Sequence, residues 1–207
     1  MDDWDEFRAS WQRMQLDTYM GDGGRYRRRR HTVLTAPPGG RARKIAEPRP
    51  VYQDLEFNSL NGGIARKYEP VEEHILNGAV MSGLVDLGCE VFGRLAPTLP
   101  WYLDIHQFRI EATSEFIGRP TPEGIHRDGV NFVLMMLVNR ENVAGGISAL
   151  YDVDKKLITQ DSLLEPLDMF LVDDAQIFHG VNPIEPEDPQ LPAVRDMLVI
   201  TYKEHIS

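Results

Sequence analysis

Two side chains that can bind a metal are separated by one residue in the segment 124–129, which reads Gly-Ile-His-Arg-Asp-Gly. Side chains of an extended chain repeat with a period of two, so His126 and Asp128 leave the backbone on the same face. An imidazole and a carboxylate can therefore converge on one ion. One further histidine would complete a 2-His-1-carboxylate facial triad, which leaves coordination positions open on non-haem Fe(II).

The best candidate for the third ligand is His179, within Phe178-His179-Gly180. In a jelly roll, a strand this much later in the chain can return beside the first one. The alternative is that both histidines are structural, because a histidine in a β core is more often hydrogen-bonded than bound to a metal. The remaining histidines at 31, 74 and 205 have no partner pattern, and we interpret them as structural or surface residues.

Arg195 opens the last apolar strand of the chain. A guanidinium in apolar surroundings requires an anion, and its planar fork matches a carboxylate. If the metal chelates a 2-oxo acid, Arg195 can bind the far carboxylate of 2-oxoglutarate. The alternatives are a salt bridge to Asp196 or Glu204, or simple exposure at a strand end.

The second half of the chain contains the elements that must position these residues. Apolar and alternating segments between turn residues predict strands over 101–110, 132–138, 147–151, 157–159, 169–172, 176–179 and 194–202. Before them, apolar spacing predicts helices over 3–19 and 70–95, the latter as one helix or two shorter ones because it contains three glycines. This order predicts a mainly β fold with flanking helices, as a sandwich or jelly roll.

Composition limits the function. A chain of 207 residues suits one domain, and its net charge of −10 disfavours a nucleic-acid binder. Cys89 is the only cysteine, so no intrachain disulfide is possible; we expect a packed thiol and a cytoplasmic protein. No apolar run is long enough to span a membrane. The basic run 25–31 is predicted to be an extended segment whose charges face water or acidic neighbours.

Several short motifs together resemble the 2-oxoglutarate/Fe(II) dioxygenase family that includes bacterial isoleucine 4-hydroxylases. In chain order they are His126-Arg127-Asp128-Gly129, Gly145-Gly146, Asp173-Asp174, Phe178-His179-Gly180-Val181, Pro183-Ile184 and Arg195-Asp196. The resemblance extends over residues 50–203 and implies a cupin-like double-stranded β-helix. It also implies Fe(II) held by His126, Asp128 and His179, with 2-oxoglutarate anchored by Arg195 and O₂ as co-substrate. Ascorbate is the expected reductant in an assay.

This chain departs from the wider superfamily at one position. Many members place Ser or Thr two residues after the arginine to share the carboxylate, whereas this chain has Met197. We expect a second donor from a neighbouring strand, such as a Tyr or Gln, or none. Asp128 is present, which argues against a halogenase, because halogenases of this superfamily lack the carboxylate.

The expected activity is hydroxylation of a free L-amino acid, aliphatic or cyclic, such as isoleucine, leucine, proline or pipecolate, in the biosynthesis of a natural product. Gln107 and Arg109 share one strand face, and Arg109 is the candidate for the substrate carboxylate; the alternative is a structural pair. Arg119 is a weaker candidate, and His106 on the opposite face is expected to be structural. Glu123 either binds an ammonium group or caps its loop, and we favour the cap.

The domain organisation follows from the same observations. We expect one domain over 1–207, in which a helical and extended part, 1–100, packs on a metal-binding jelly-roll core, 101–203. Loops 35–50 and 111–123 are candidates to close over the site. Two other functions remain open at this point: a cupin-like metal enzyme that does not use 2-oxoglutarate, and a non-catalytic jelly-roll binding protein. The sequence does not indicate the oligomeric state.

Overall fold

The computed structural model describes residues 3–44 and 49–205. Its helical segments are α1 (Trp4–Ala9), a 3-10 helix (Ser10–Arg13), α2 (Glu73–Leu76) and α3 (Ala79–Leu95). Its strands are β1 (Arg27–Ala36), β2 (Arg43–Lys44), β3 (Trp101–Ala112), β4 (Phe132–Glu141), β5 (Val143–Gly145), β6 (Ser148–Tyr151), β7 (Leu157–Asp161), β8 (Met169–Asp173), β9 (Phe178–Val181), β10 (Ile184–Pro186) and β11 (Ala193–Glu204).

A six-stranded antiparallel sheet in the order β2-β1-β3-β11-β4-β8 forms the larger wall of the molecule. Facing it are a three-stranded sheet, β7-β6-β9, and the pair β10-β5. The fold is a jelly roll, the double-stranded β-helix that the sequence predicted. The loop predicted over 35–50 contains the end of β1 and β2; residues 45–48 lie outside the described part.

The large sheet is buried on both faces, and the two faces have different partners. Side chains at odd positions of β3 (Trp101, Leu103 and Ile105) share a core with Phe7 and Trp11 of the N-terminal helices and with the buried face of α3. Side chains at even positions, from Tyr102 to Ile110, face the interior between the sheets. The period-two alternation of β3 therefore separates a helix-facing layer from a cavity-facing layer.

The first predicted helix is shorter than expected. α1 ends at Ala9, the 3-10 helix ends at Arg13, and Met14 is extended. Beyond that point the chain pairs with the free edge of β1: the Asp17 N–H donates to the Arg27 carbonyl at 2.8 Å. Backbone pairing with an exposed strand edge takes precedence over the helical apolar pattern there.

The second predicted helix is two helices. α2 ends at Leu76, and Gly78, with ψ of 160°, is the extended residue that precedes α3. Cys89 of α3 is partly buried, and burial together with nearby Asp86 raises the pKa of its thiol to about 11. This agrees with a packed thiol rather than a nucleophile. Within the described residues, no helix is long and apolar enough to cross a membrane.

The basic run differs from its prediction in one respect. It is extended, but Arg27, Arg29 and Arg30 are buried instead of facing water. Arg27 pairs with the buried Asp17 at 2.7 Å, and Arg30 contacts Glu72 at 3.2 Å, so acidic neighbours are confirmed for these two. Arg29 is different, because it lines the cavity between the sheets and forms no ion pair within the described residues.

Candidate active site

The structure brings His126, Asp128 and His179 together. The two histidines form an isolated antiparallel bridge in which each backbone N–H donates to the other carbonyl at 2.9 Å. The Nε2 atoms of His126 and His179 lie 3.7 and 3.6 Å from the two carboxylate oxygens of Asp128. One ligand atom from each residue lies within 4.8 Å of the others, which is the spacing of donors around a single ion.

The backbone carbonyl of Gly124 sets the tautomer of His126. Its Nδ1 lies 3.0 Å from the Gly124 carbonyl oxygen and donates to it, so Nε2 is left to face Asp128. Burial lowers the pKa of His126, but the hydrogen bond and charge of Asp128 outweigh it and raise the pKa to about 9. Burial and the neighbouring His126 lower the pKa of His179 to about 4. Burial opposes ionisation of Asp128, but the two histidines hold its pKa well below its usual range.

Asp174 fixes the loop that carries Asp128. Its buried carboxylate accepts the backbone N–H of Asp128 at 3.0 Å, of Gly129 at 2.8 Å and of Val130 at 3.1 Å. Gly129 adopts φ of 76°, a conformation that favours glycine. The sequence contributed Asp173-Asp174 only as part of a motif and gave no role for either residue. An acidic residue just after a predicted strand was the only available signal.

A second chain of contacts reaches the Asp128 side chain. Gln53 Nε2 donates to Asp128 Oδ1 at 3.3 Å, and Gln53 Oε1 accepts from Arg66 Nη2 at 2.9 Å. Both residues line the cavity, and Arg66 is buried. Metal ligands are commonly oriented by such outer partners. The family resemblance over residues 50–203 included Gln53 and Arg66, but nothing in it indicated that either residue contacts the candidate metal site.

Arg195 lies buried on the cavity-facing side of β11 and donates from Nη2 to Ser148 Oγ at 3.1 Å. Its Nε has no hydrogen-bond partner among the described residues. The salt bridge to Asp196 considered above does not form, because Asp196 pairs with Arg109. Burial and the charge of Arg140 lower the pKa of Arg195 to about 10, which marks a cation whose interior site lacks an anion. Ser148 provides a hydroxyl beside it, whereas the sequence suggested Tyr or Gln.

Gln107 and Arg109 do not reach the cavity, which corrects their assignment as substrate ligands. Gln107 is fully buried and donates to Ser10 Oγ at 2.9 Å, on the helix-facing side of β3. Arg109 forms a bidentate ion pair with Asp196 at 2.8 and 2.7 Å. His106, predicted to be structural because it lies on the opposite face, lines the cavity instead. The two residues share a face as predicted, but that face is the one covered by helices.

Glu123 and Arg119 also differ from expectation. Glu123 is not a loop cap, because its side chain lines the cavity and its Oε1 lies 3.4 Å from His126 Nε2. Its Oε2 is buried and has no hydrogen-bond partner in the described part of the chain. Arg119 is not among the described residues that line the cavity. Loop 111–123 borders the cavity through Pro120, Thr121 and Glu123, which agrees with a loop next to the site.

All these groups share one cavity of about 350 Å³ between the two sheets. The volume lies within the range of small-molecule sites. Two imidazoles and one carboxylate are a donor set suited to Fe(II) with open positions, and the partnerless Nε of Arg195 suits a carboxylate. The residues therefore fit both a bound Fe(II) and 2-oxoglutarate.

Comparisons with known proteins agree with this site. The sequence model of the 2OG-Fe dioxygenase family matches residues 8–201. A curated relative, 3(1)-hydroxy-L-isoleucine 4-dioxygenase of Pantoea ananatis, is 26% identical over 160 residues; the match covers 75% of this chain and 64% of that protein. This chain thus spans less than two thirds of the relative's length.

Among solved structures, a BsmA homologue from Methylobium petroleophilum is 36% identical with a TM-score of 0.87, covering 98% of this chain and 81% of that one. The structure named IDO from Bacillus thuringiensis is 17% identical with a TM-score of 0.78, covering 98% and 83%. The Fe(II)/α-ketoglutarate-dependent dioxygenase TqaL is 16% identical with a TM-score of 0.72, covering 100% and 76%. The last two are similar in fold.

The family match spans nearly the whole chain, and Fe(II), 2-oxoglutarate and O₂ are what this family uses. The family match therefore disfavours both alternative functions, a cupin-like enzyme without 2-oxoglutarate and a non-catalytic binding protein. The cluster of His126, Asp128 and His179, the buried Arg195 and the jelly-roll fold are consistent with that match. The chain belongs to the 2OG-Fe dioxygenase family.

Proposed function

We propose that this protein hydroxylates a free L-amino acid, aliphatic or cyclic, as isoleucine, leucine, proline or pipecolate would be. The observation that carries the proposal is that one cavity contains a carboxylate and a guanidinium, each with a buried polar atom that is open to a further hydrogen bond. Glu123 Oε2 and Arg29 Nε both lack hydrogen-bond partners among the described residues, and both side chains line the cavity that contains the metal cluster. A zwitterion supplies one group for each. The name of the Pantoea ananatis relative gives independent support.

The side chains of this protein have defined tasks in that reaction. His126, Asp128 and His179 would hold Fe(II), which when bound supplies the oxidising power that couples decarboxylation of 2-oxoglutarate to hydroxylation of a C–H bond. Arg195 and Ser148 would orient the far carboxylate of 2-oxoglutarate. Apolar side chains on the cavity-facing sides of β4, β9 and β11 exclude water; they are Met135, Val181, Met197 and Val199.

The activity is tested with a panel of free L-amino acids, including proline and pipecolate, incubated with Fe(II), ascorbate and 2-oxoglutarate. Mass spectrometry is expected to detect one amino acid that gains one oxygen atom, with one succinate released for each product. Asp128→Ala is expected to abolish both signals. Succinate release that survives this substitution contradicts the role of the metal cluster, and a panel without any oxidised product contradicts the amino acid substrate.

The 2-oxoglutarate site is tested separately by binding. Arg195→Met is expected to weaken 2-oxoglutarate binding to the Mn(II)-loaded protein by at least about tenfold, because a charged hydrogen-bond donor is lost. Ser148→Ala, which removes only a neighbouring hydroxyl, is expected to have a smaller effect. Isothermal titration calorimetry measures both. Unchanged affinity in Arg195→Met would show that 2-oxoglutarate binds elsewhere.

A further inference from the structure

Arg29 is a buried cation whose side-chain hydrogen-bond partners are both neutral. Its Nη1 donates to the Tyr68 hydroxyl at 3.2 Å, and its Nη2 donates to His106 Nδ1 at 3.1 Å. The guanidinium lies over the rings of Tyr68 and Phe108, at 4.4 and 4.6 Å from their centroids. Within the described residues, no ion pair involves Arg29, and its Nε has no hydrogen-bond partner. A buried charge normally has a partner of opposite sign.

The charged residues around Arg29 do not supply the missing negative partner. Arg27 and Arg66 also line the cavity, and the positive charge of each repels that of Arg29. The nearby carboxylate, Asp17, is already paired with Arg27 at 2.7 Å. Arg66 donates to the neutral Gln53 amide. Arg27, Arg29 and Arg66 thus bring three positive charges to this part of the cavity, and among the described residues only Arg27 of the three pairs with a carboxylate, so the site favours an anion.

Arg29 also lies close to the metal cluster. It lines the same cavity as His126, Asp128 and His179. Its positive charge is one of the influences that lower the pKa of Asp128. An anion bound at Arg29 would therefore lie near the position where Fe(II), when bound, would hold 2-oxoglutarate.

Neighbouring residues hold the Arg29 guanidinium in one plane. His106 accepts its hydrogen bond and must therefore be unprotonated at Nδ1; burial and the Arg29 charge keep the pKa of His106 well below its usual range. The His106 ring stacks on His31 with centroids 4.8 Å apart, and His31 Nε2 bonds to Asp104 at 2.5 Å. His31, Asp104 and His106 form a second group of side chains that could bind a metal, but hydrogen bonds occupy them. The positive charge of the neighbouring Arg29 would also repel a metal cation.

We propose that Arg29 binds the carboxylate of the amino acid substrate and that His106 is its positioning residue. This inference rests on the proposed function and names the substrate anchor for it. Arg195 is not the anchor, because it lies on β11 beside Ser148, where the family resemblance assigns it to 2-oxoglutarate. Arg29 and Arg195 thus match two carboxylates, one from the substrate and one from 2-oxoglutarate. Arg66, the third buried cavity arginine without a carboxylate partner in the described part of the chain, donates to the Gln53 amide. A guanidinium fixed between two aromatic rings also selects against amines and esters that lack the anion.

The test compares binding to the protein loaded with Mn(II) and 2-oxoglutarate, measured by calorimetry without O₂. The probes are L-isoleucine, its methyl ester, which lacks the anion, and 3-methylpentanoate, which lacks the ammonium group. L-leucine and L-proline are compared with their methyl esters in the same way. We expect wild-type protein to prefer each acid over its ester, and Arg29→Met to bind acids at least about tenfold more weakly without a comparable loss for esters.

Arg28→Met is the matched control. Arg28 is the adjacent residue of β1, but its side chain pairs with Glu111 at 2.8 Å and does not line the cavity. This variant is expected to keep the wild-type preference for acids. His106→Leu removes the acceptor of Arg29, so it is expected to reduce the acid-over-ester ratio while Mn(II) uptake stays unchanged. That ratio would not respond to a purely structural role of His106.

The outcomes separate the two proposals. If 3-methylpentanoate binds through Arg29 but no amino acid binds, the carboxylate anchor stands and the amino acid function fails. If wild type and Arg29→Met bind the acids equally, or if wild type binds no carboxylate beyond 2-oxoglutarate, the anchor is overturned. Should Arg29→Met fail to fold, Arg29→Gln removes the charge but keeps a hydrogen-bond donor; an unchanged acid-over-ester ratio in that variant also overturns it.

Discussion

At the scale of single residues, the site depends on how side chains around Asp128 are held. Asp128 carries the carboxylate, while Asp174 binds the backbone on which it sits and Gln53 contacts its side chain. A carboxylate that accepts three backbone N–H groups orients a loop more firmly than one hydrogen bond does. The geometry of the group formed by His126, Asp128 and His179 therefore depends on Asp174 and Gln53, which are not members of it.

The first prediction concerns Asp174. Asp174→Ala is expected to weaken Mn(II) binding by about 10–100-fold in a protein that still folds, because partners that orient a ligand typically contribute this much. Titration with Mn(II), followed by electron paramagnetic resonance, measures the affinity. Asp173→Ala is the control, since Asp173 is exposed and its side chain accepts only the nearby Ala175 N–H. Equal metal affinity in both variants would contradict the role of Asp174.

At the scale of elements, β3 separates two layers of the molecule. Its odd positions pack on the helices, and its even positions line the cavity. This division explains why Arg109 is structural, whereas His106, only three residues earlier, belongs to the site. The same division on β11 places Asp196 next to Arg109, and Arg195 in the cavity.

The second prediction tests Arg109 as a structural residue. Arg109→Met leaves the buried Asp196 carboxylate without its partner, so the free energy of unfolding is expected to fall by about 3–5 kcal/mol. Chemical denaturation measures this loss. The double variant Arg109→Met/Asp196→Leu removes both charges and is expected to recover much of it. Affinity for the substrate is expected to stay unchanged in the folded single variant; a large loss of that affinity would restore Arg109 as a ligand.

The third prediction concerns the packing of α3 on the large sheet. A Cβ atom added at Gly88 would lie 2.0 Å from the Tyr202 hydroxyl, so Gly88→Ala requires helix or strand to shift. We expect a loss of about 1–3 kcal/mol in the free energy of unfolding. Gly83 lies on the same helix with open space around it, and Gly83→Ala is expected to stabilise by up to about 1 kcal/mol. Thermal denaturation is expected to show a lower melting temperature for Gly88→Ala and a higher one for Gly83→Ala.

At the scale of the whole molecule, the N-terminal part of the chain contributes to both the core and the cavity of the jelly roll. One core cluster joins Phe7 and Trp11 with Val80, Leu103 and Leu198, and the basic strand β1 carries residues of the cavity. We propose that residues 1–207 form one domain, with the N-terminal part packed on the jelly roll. The family match over residues 8–201 supports this arrangement.

The fourth prediction follows from that arrangement. If one domain contains both ligand sites, Mn(II) and 2-oxoglutarate at about 100 times their dissociation constants are each expected to add about 2.7 kcal/mol to the stability of the whole molecule. Differential scanning calorimetry should detect a single transition that moves to higher temperature. Asp128→Ala is expected to lose the shift caused by Mn(II). Two separate transitions, with one insensitive to both ligands, would contradict the single domain.

The sequence by itself predicted most strands and grouped His126, Asp128 and His179, which the structure brings together. The proposed roles of these residues and of Arg195 toward Fe(II) and 2-oxoglutarate came from the family resemblance. His126 and Asp128 lie on the same face of any extended segment. The apolar strands were predictable without tertiary information, because runs of apolar residues between turn residues favour buried strands. The 3-10 helix after α1 was not predictable, since its end is fixed by pairing with the edge of β1 far along the chain.

Only the tertiary structure decided which face of each strand meets the cavity. Period-two alternation groups Gln107 with Arg109 and separates both from His106, but it does not say which group points inward. Both faces of β3 are buried, so hydrophobicity did not distinguish them. The basic run was predicted to face water or acidic neighbours, because charge favours both in isolation. Only packing against Asp17, Tyr68 and Phe108 makes an interior position possible.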